Sequence, residues 1–188
     1  MEALLPTLIA AFLAEWGDRT QLLVMALAAR YARPGPLLAG VAVAAVANAG
    51  LAAAGGWFLH DTVPYRALGL LTALALVFAG GGALFPAKPP NVATDWRTGA
   101  FVTAAFAFAL VEFGDKTQFV TAALSARTGS PVLAAAGATL GVLAANIPAA
   151  VLGTRLPRHV PVARIRLVVA VLLLIAGLWT AAAALRLV

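Results

Sequence analysis

The sequence predicts an all-α polytopic membrane protein, with six transmembrane helices arranged as two inverted three-helix repeats. Three observations predict it. The chain is 63% hydrophobic and only 11% charged, with a mean hydropathy of +0.97, against about 45–50% apolar and about 25% charged in a soluble domain. Six apolar segments approach the roughly 20 residues a helix needs to cross a bilayer. The chain also matches itself, without gaps, at an offset of 97 residues.

The six segments are expected at 4–29, 37–59, 67–85, 98–126, 132–153 and 167–185. Proline and glycine clusters separate them: Arg33-Pro34-Gly35-Pro36, then 61–64, 86–90, 129–131 and 157–161. The stretch 87–97 is the longest polar connection and divides the chain into repeats 1–91 and 98–188. The first segment is expected to be a working helix and not a removable leader. It lacks a basic start and a small-residue cleavage site, and its apolar run continues through charged residues.

At the 97-residue offset Glu15 meets Glu112, Gly17 meets Gly114, Asp18 meets Asp115, Thr20 meets Thr117 and Gln21 meets Gln118. The register continues through Arg30/Arg127, Pro34/Pro131, Gly40/Gly137, Gly56/Gly153, Pro64/Pro161 and Gly80/Gly177. Matches of Ala or Leu in apolar segments are common by chance; matches of acids, Gln, Pro and Gly are not. Each repeat holds three spans, an odd number, so the second copy enters the membrane inverted. Such repeats mark secondary transporters with a midplane site.

Lys/Arg bias sets the expected orientation. Loops one–two, three–four and five–six carry eight basic residues (Arg30, Arg33, Lys88, Arg97, Arg155, Arg158, Arg164, Arg166), against three on the other side (Arg66, Arg127, Arg186). Those loops then face the cytoplasm and both termini lie outside, in a bacterial inner membrane. The net charge of +6 reads as topology and contact with anionic lipid. It does not read as nucleic-acid binding, because no basic run is interleaved with aromatics. The absence of cysteine excludes disulfides and thiolate metal sites. His60 and His159 are expected in loops, which argues against an imidazole site.

Four of the seven acidic residues lie in two heptapeptides, Glu15-Trp16-Gly17-Asp18-Arg19-Thr20-Gln21 and Glu112-Phe113-Gly114-Asp115-Lys116-Thr117-Gln118. Both fall at mid-span. Four uncompensated acids near the bilayer centre cost on the order of 10 kcal/mol on insertion scales. Glu15, Asp18, Glu112 and Asp115 are therefore the candidate metal ligands. In a regular helix the Glu and Asp of each motif share one face. The intervening glycine alternatively permits close backbone approach or local unwinding. Inversion brings the motif helices together antiparallel, with up to four carboxylates around one cavity.

Gln21, Gln118, Thr20 and Thr117 offer neutral oxygens, and Arg19 and Lys116 are placed to offset charge. Such hard oxygen donors suit Mg²⁺, Ca²⁺ or Mn²⁺. Adjacent acids in a low-dielectric site cannot all stay ionised, so protons and a divalent cation compete there. Asn48 and Asn146, deep in the second and fifth spans, are candidates for supporting hydrogen bonds or a gate. Pro148 is an expected kink. Interhelical polar glue is the alternative reading of each motif, weakened by the duplication.

The pattern Glu-x-Gly-Asp-(Lys/Arg)-(Thr/Ser), once in each half, resembles the Gdt family of cation/proton exchangers. That family includes bacterial manganese exporters and is grouped with the lysine-exporter superfamily. The resemblance covers essentially the whole chain. It implies a transporter, not an enzyme, that exports Mn²⁺, or next Ca²⁺, in exchange for protons. Partners are then a divalent metal ion, protons and the lipid bilayer, with no nucleic acid and no cofactor; no pattern specifies an oligomeric state. It further implies that Glu15, Asp18, Glu112 and Asp115 are ligands, with Arg19 and Lys116 at the basic position and Thr20 and Thr117 at the hydroxyl position. Rival readings are an intramembrane aspartyl protease using Asp18 and Asp115, a non-transporting assembly subunit, and an amino-acid exporter. Four acids would repel the last one's carboxylate substrate.

Overall fold

The computed structural model describes residues 2–91 and 96–187. Part of the expected 87–97 connection and the two end residues, 1 and 188, lie outside them. Among the described residues the regular structure is helical: α1 (Leu4–Glu15), α2 (Arg19–Tyr31), α3 (Pro34–His60), α4 (Tyr65–Leu84), α5 (Ala100–Glu112), α6 (Lys116–Thr128), α7 (Pro131–Leu152), a 3₁₀ turn (Gly153–Arg155), α8 (Leu156–His159) and α9 (Val162–Leu185). The helices at Pro34–His60, Tyr65–Leu84, Pro131–His159 (α7 with its short extensions) and Val162–Leu185 are long and apolar enough to cross a membrane. They match the expected second, third, fifth and sixth segments.

Proline sets two of the starts. Pro34 opens α3 and Pro131 opens α7, where a missing N–H costs nothing because the first turn has no partner for it. Inside α7, Pro148 is accommodated and the helix continues to Leu152. His60 and His159 close helices α3 and α8 instead of lying in loops; α3 runs one polar residue past its expected end, and α8 is a separate short helix after α7.

The expected first and fourth segments are each two helices. Glu15 ends α1, and Trp16, Gly17 and Asp18 leave the helix before α2 begins at Arg19. Phe113, Gly114 and Asp115 do the same between α5 and α6. The two breaks share one backbone. Gly17 has φ +72° and Gly114 φ +73°, a left-handed conformation that costs a residue with a Cβ roughly 1–2 kcal/mol. Asp18 and Asp115 follow in extended conformation, with ψ 170° and 167°. Unwinding, not a regular helical face, therefore positions the acids. Each motif's glutamine repairs the break: Gly17 N–H donates to Gln21 Oε1 (2.9 Å) and Gly114 N–H to Gln118 Oε1 (2.8 Å).

Small residues let the helices run close along one another. A Cβ on Gly137 or Gly141 of α7 would overlap the Leu4 or Leu8 carbonyl of α1. Further along α7, Gln21 Nε2 of α2 donates to the Ala145 carbonyl (2.9 Å), and Gly153 lies beside Met25 and Ala28. The broken pair α1–α2 thus follows α7 in the same direction along its length. The pair α5–α6 follows α3 in the same way. Gly40 abuts the Phe101 carbonyl and Gly56 the Ala122 carbonyl, Asn48 Nδ2 donates to Ala109 O (3.2 Å), and His60 Nδ1 is 2.6 Å from Ala126 O.

Helices α4 and α9 form an antiparallel pair. Gly80 abuts Ala170 and Leu174, and Gly177 abuts Ala73 and Val77. Arg66 Nε donates to Ala184 O (3.2 Å) at one end and Arg166 Nη1 to Ala83 O (2.8 Å) at the other.

The packing is small inside and large outside. Buried positions are rich in Ala and Thr, whereas Leu5, Ile9, Val46, Leu51, Phe106, Leu110, Val168 and Ile175 face outward, the arrangement a lipid solvent favours. Two buried clusters organise the interior. One joins Leu23, Val24, Val41, Phe108 and Val142; the other joins Leu76, Val120, Leu124, Val169 and Leu173. The halves are not packed alike. Phe78 of α4 meets Phe119 of α6 edge-on at 5.8 Å, and α4 lies along α6, but α9 makes no comparable contact with α2 among the described residues.

Candidate functional site

The two unwound segments meet at the centre of the molecule. Asp18 and Asp115 stand immediately before α2 and α6, yet neither side chain caps its own helix. The Asp carboxylates turn instead to the basic residues of the two motifs. Their basic neighbours pair mainly across the motifs. Lys116 Nζ lies 2.5 Å from Asp18 Oδ1 and 3.8 Å from Asp115 Oδ2, and Arg19 Nη2 lies 3.5 Å from Asp115 Oδ1. One oxygen of each, Asp18 Oδ2 and Asp115 Oδ2, is buried without a hydrogen-bond partner.

Glu15 is fully buried and accepts three hydrogen bonds, from Thr20 Oγ1 (2.6 Å), Thr117 Oγ1 (2.9 Å) and Asn146 Nδ2 (3.3 Å). Glu112 is also buried and accepts from Asn48 Nδ2 (3.2 Å). The asparagines thus cross over. Asn146 of α7 serves the first motif and Asn48 of α3 the second, because each long helix lies beside the other half's broken pair.

Carboxylate oxygens of Glu15, Asp18 and Asp115 all lie within 4.8 Å of one another. An ion with oxygen ligands at about 2.1–2.6 Å fits between oxygens so spaced. Glu112 lies outside this group. Thr20 and Thr117 both turn to Glu15, and the Gln21 and Gln118 oxygens are engaged by backbone. The neutral donors therefore hold the site's shape.

A cavity of about 320 Å³ reaches Asp18, Asp115 and Lys116 and leads out past Gly82 and Lys88, beyond the end of α4, and Arg166 of α9. Arg166 also packs against Gly17. Neither Gly82 nor Arg166 stands out in the sequence: one is a glycine among three, the other a basic residue near a span end. Their roles depend on how α4 and α9 pack.

The family model described as "Divalent cation/proton antiporter GDT1" matches residues 3–91 and 100–187. A protein of Vibrio cholerae serotype O1 (strain ATCC 39541 / Classical Ogawa 395 / O395) named "Putative manganese exporter" is 35% identical over 182 residues, 96% of this chain and 91% of the relative. No solved structure matches the chain. These relatives are transporters, so the aspartyl protease alternative for Asp18 and Asp115 falls. With its apolar helices and its motif in duplicate, the chain is a multi-pass membrane cation transporter, not an enzyme, and it belongs to the GDT1 family.

Proposed function

We propose that this protein exchanges a divalent cation, Mn²⁺ first and Ca²⁺ next, for protons, exporting the metal across a bacterial inner membrane. The observation that carries the reading is the meeting of Glu15, Asp18 and Asp115 oxygens, from two separate helix breaks, within 4.8 Å. Hard carboxylate donors favour such ions over soft metals, and the named relative points to manganese. Glu15, Asp18 and Asp115 are the acids that take the ion. Glu112, supported by Asn48, is the fourth acid of the set, and protons take the place of the ion on these acids.

The proposed membrane arrangement is six crossings in two inverted repeats, 1–91 and 98–188. What supports it is direction. The pair α1–α2 runs with α7, and α5–α6 runs with α3. Short turns reverse the chain between α2 and α3 and between α6 and α7. Each broken pair therefore covers the same depth as a full-length helix, and the two pairs are antiparallel to each other. By the Lys/Arg bias the termini lie outside, and the cavity beside Asp18 opens toward the cytoplasm.

Proteoliposomes loaded with a pH-sensitive dye test the function. Mn²⁺ added on one side should drive proton movement in the opposite direction, and Ca²⁺ should do so more weakly. Glu15→Gln and Glu112→Gln should each abolish the signal. Full exchange with both acids neutralised overturns the proposal.

A further inference from the structure

We infer that the Lys116 ammonium is a tethered substitute for the transported cation: it occupies the acidic cluster when no ion is there and is expelled into the adjoining cavity when one binds. This rests on the reading of Glu15, Asp18 and Asp115 as the transport site. Lys116 Nζ is 2.5 Å from Asp18 Oδ1 and 3.8 Å from Asp115 Oδ2, and its side chain is only 9% exposed. A lysine ammonium is a compact point charge with three donors, so it takes the position of an ion among carboxylates. A divalent cation bound by the same two aspartates would stand against Nζ, and like charges so close in a poorly solvated site exclude each other.

The substitute fills the site only in part. Asp18 Oδ2 and Asp115 Oδ2 have no hydrogen-bond partner while Lys116 is in place. Lys116 stands at 3.8 Å from Asp115 Oδ2, too far for a hydrogen bond, so a divalent ion engages both oxygens more closely than the lysine does, which favours the exchange of one for the other. The retreat path is also present. Lys116 borders the 320 Å³ cavity, and Gly82 presents no side chain to its stem, whose Cδ is 4.0 Å from where a Cβ would stand.

The equivalent residue of the first motif already shows the withdrawn pose. The Arg19 side chain is 56% exposed and touches Asp115 Oδ1 from the rim at 3.5 Å. With Lys116 in the cluster, the ion-free protein does not carry bare buried acids as it reorients. With Lys116 driven out, the bound ion takes over that compensation.

The chain has two lysines, Lys88 and Lys116, which makes the test direct. In purified Lys88→Arg protein, Lys116 is the sole lysine side chain. Mn²⁺ and Ca²⁺ binding is first measured by equilibrium dialysis. The protein is then treated with a small water-soluble acylating reagent, and the peptide containing position 116 is quantified by mass spectrometry. Acylation should be slow without the ion and about ten-fold faster with it, the ratio expected if the withdrawn pose is populated about one time in ten without the ion and almost always with it. Unchanged or slower acylation with Mn²⁺ bound overturns the inference and leaves the cation site standing; failure of either ion to bind overturns both. As a second readout, Lys116→Gln should bind Mn²⁺ about ten-fold more tightly, having lost its competitor, and should exchange it poorly. Weaker binding by that variant overturns the inference.

Discussion

The Gln21 side-chain oxygen accepts the Gly17 N–H at 2.9 Å, closing the gap that the helix break opens. Gln21 is fully buried, and its Nε2 also donates to Ala145 O. Gln21→Leu therefore orphans a buried N–H and a buried carbonyl, each worth about 1–3 kcal/mol. In the second motif the bond from Gly114 to Gln118 lies at an exposed position, and Gln118 Nε2 has no hydrogen-bond partner to lose. Thermal unfolding in detergent should show Gln21→Leu several degrees below Gln118→Leu. Equal midpoints would count against the capping role.

Gly17 and Gly114 share a left-handed backbone but not a neighbourhood. A Cβ at Gly17 meets Arg166 Cδ at 3.0 Å and Val162 Cγ1 at 3.3 Å, whereas one at Gly114 meets nothing within 4 Å. Gly114→Ala should lose only the conformational term of about 1–2 kcal/mol and remain foldable. Gly17→Ala should lose more, and Arg166→Ala should recover part of the difference. Yield and melting temperature of the three variants and of the double variant measure this.

These glycines also mark how far the residues alone carry the structure. Apolar length places four full helices to within about five residues, and the 97-residue register correctly pairs the two breaks. The break itself is not legible from hydropathy, because Trp16 and Phe113 continue the apolar run. Only a glycine between two charged positions hints at it. The acids are legible because buried charge is expensive. The crossed pairing of Lys116 with Asp18 and Arg19 with Asp115 is not, since it depends on the angle at which the unwound segments meet. Asn48 and Asn146 sit one residue out of register, yet each reaches the opposite motif's glutamate.

The asparagines should differ in importance. Glu15 keeps its bonds from Thr20 and Thr117 when Asn146 is lost. Among the described residues, Asn48 is the hydrogen-bond donor to Glu112. Asn48→Ala leaves a buried carboxyl without that donor, at a cost of about 1–3 kcal/mol. Cation-driven proton flux should therefore fall roughly ten-fold or more in Asn48→Ala and less in Asn146→Ala. The reverse order in dye-loaded vesicles would mean that Glu112 is not a working member of the acid set.

The unequal packing of α4 and α9 predicts one-sided access. Helix α4 is held to α6 through Phe78 and Phe119, while the mouth beside Gly82 and Arg166 leads to Asp18. With no native cysteine, single cysteines report access without background. Gly82→Cys should react with a membrane-impermeant maleimide applied from the face that carries Arg33 and Lys88. Trp179→Cys, at the repeat-related position on the outward, apolar side of α9, should not react from either face. Because the cavity ends at Asp18, Asp115 and Lys116, Mn²⁺ should alter the rate at position 82 and leave it unchanged in an Asp18→Asn background. Equal labelling of the two cysteines would mean that both faces reach the acids alike, and the difference between α4 and α9 would then have no bearing on access.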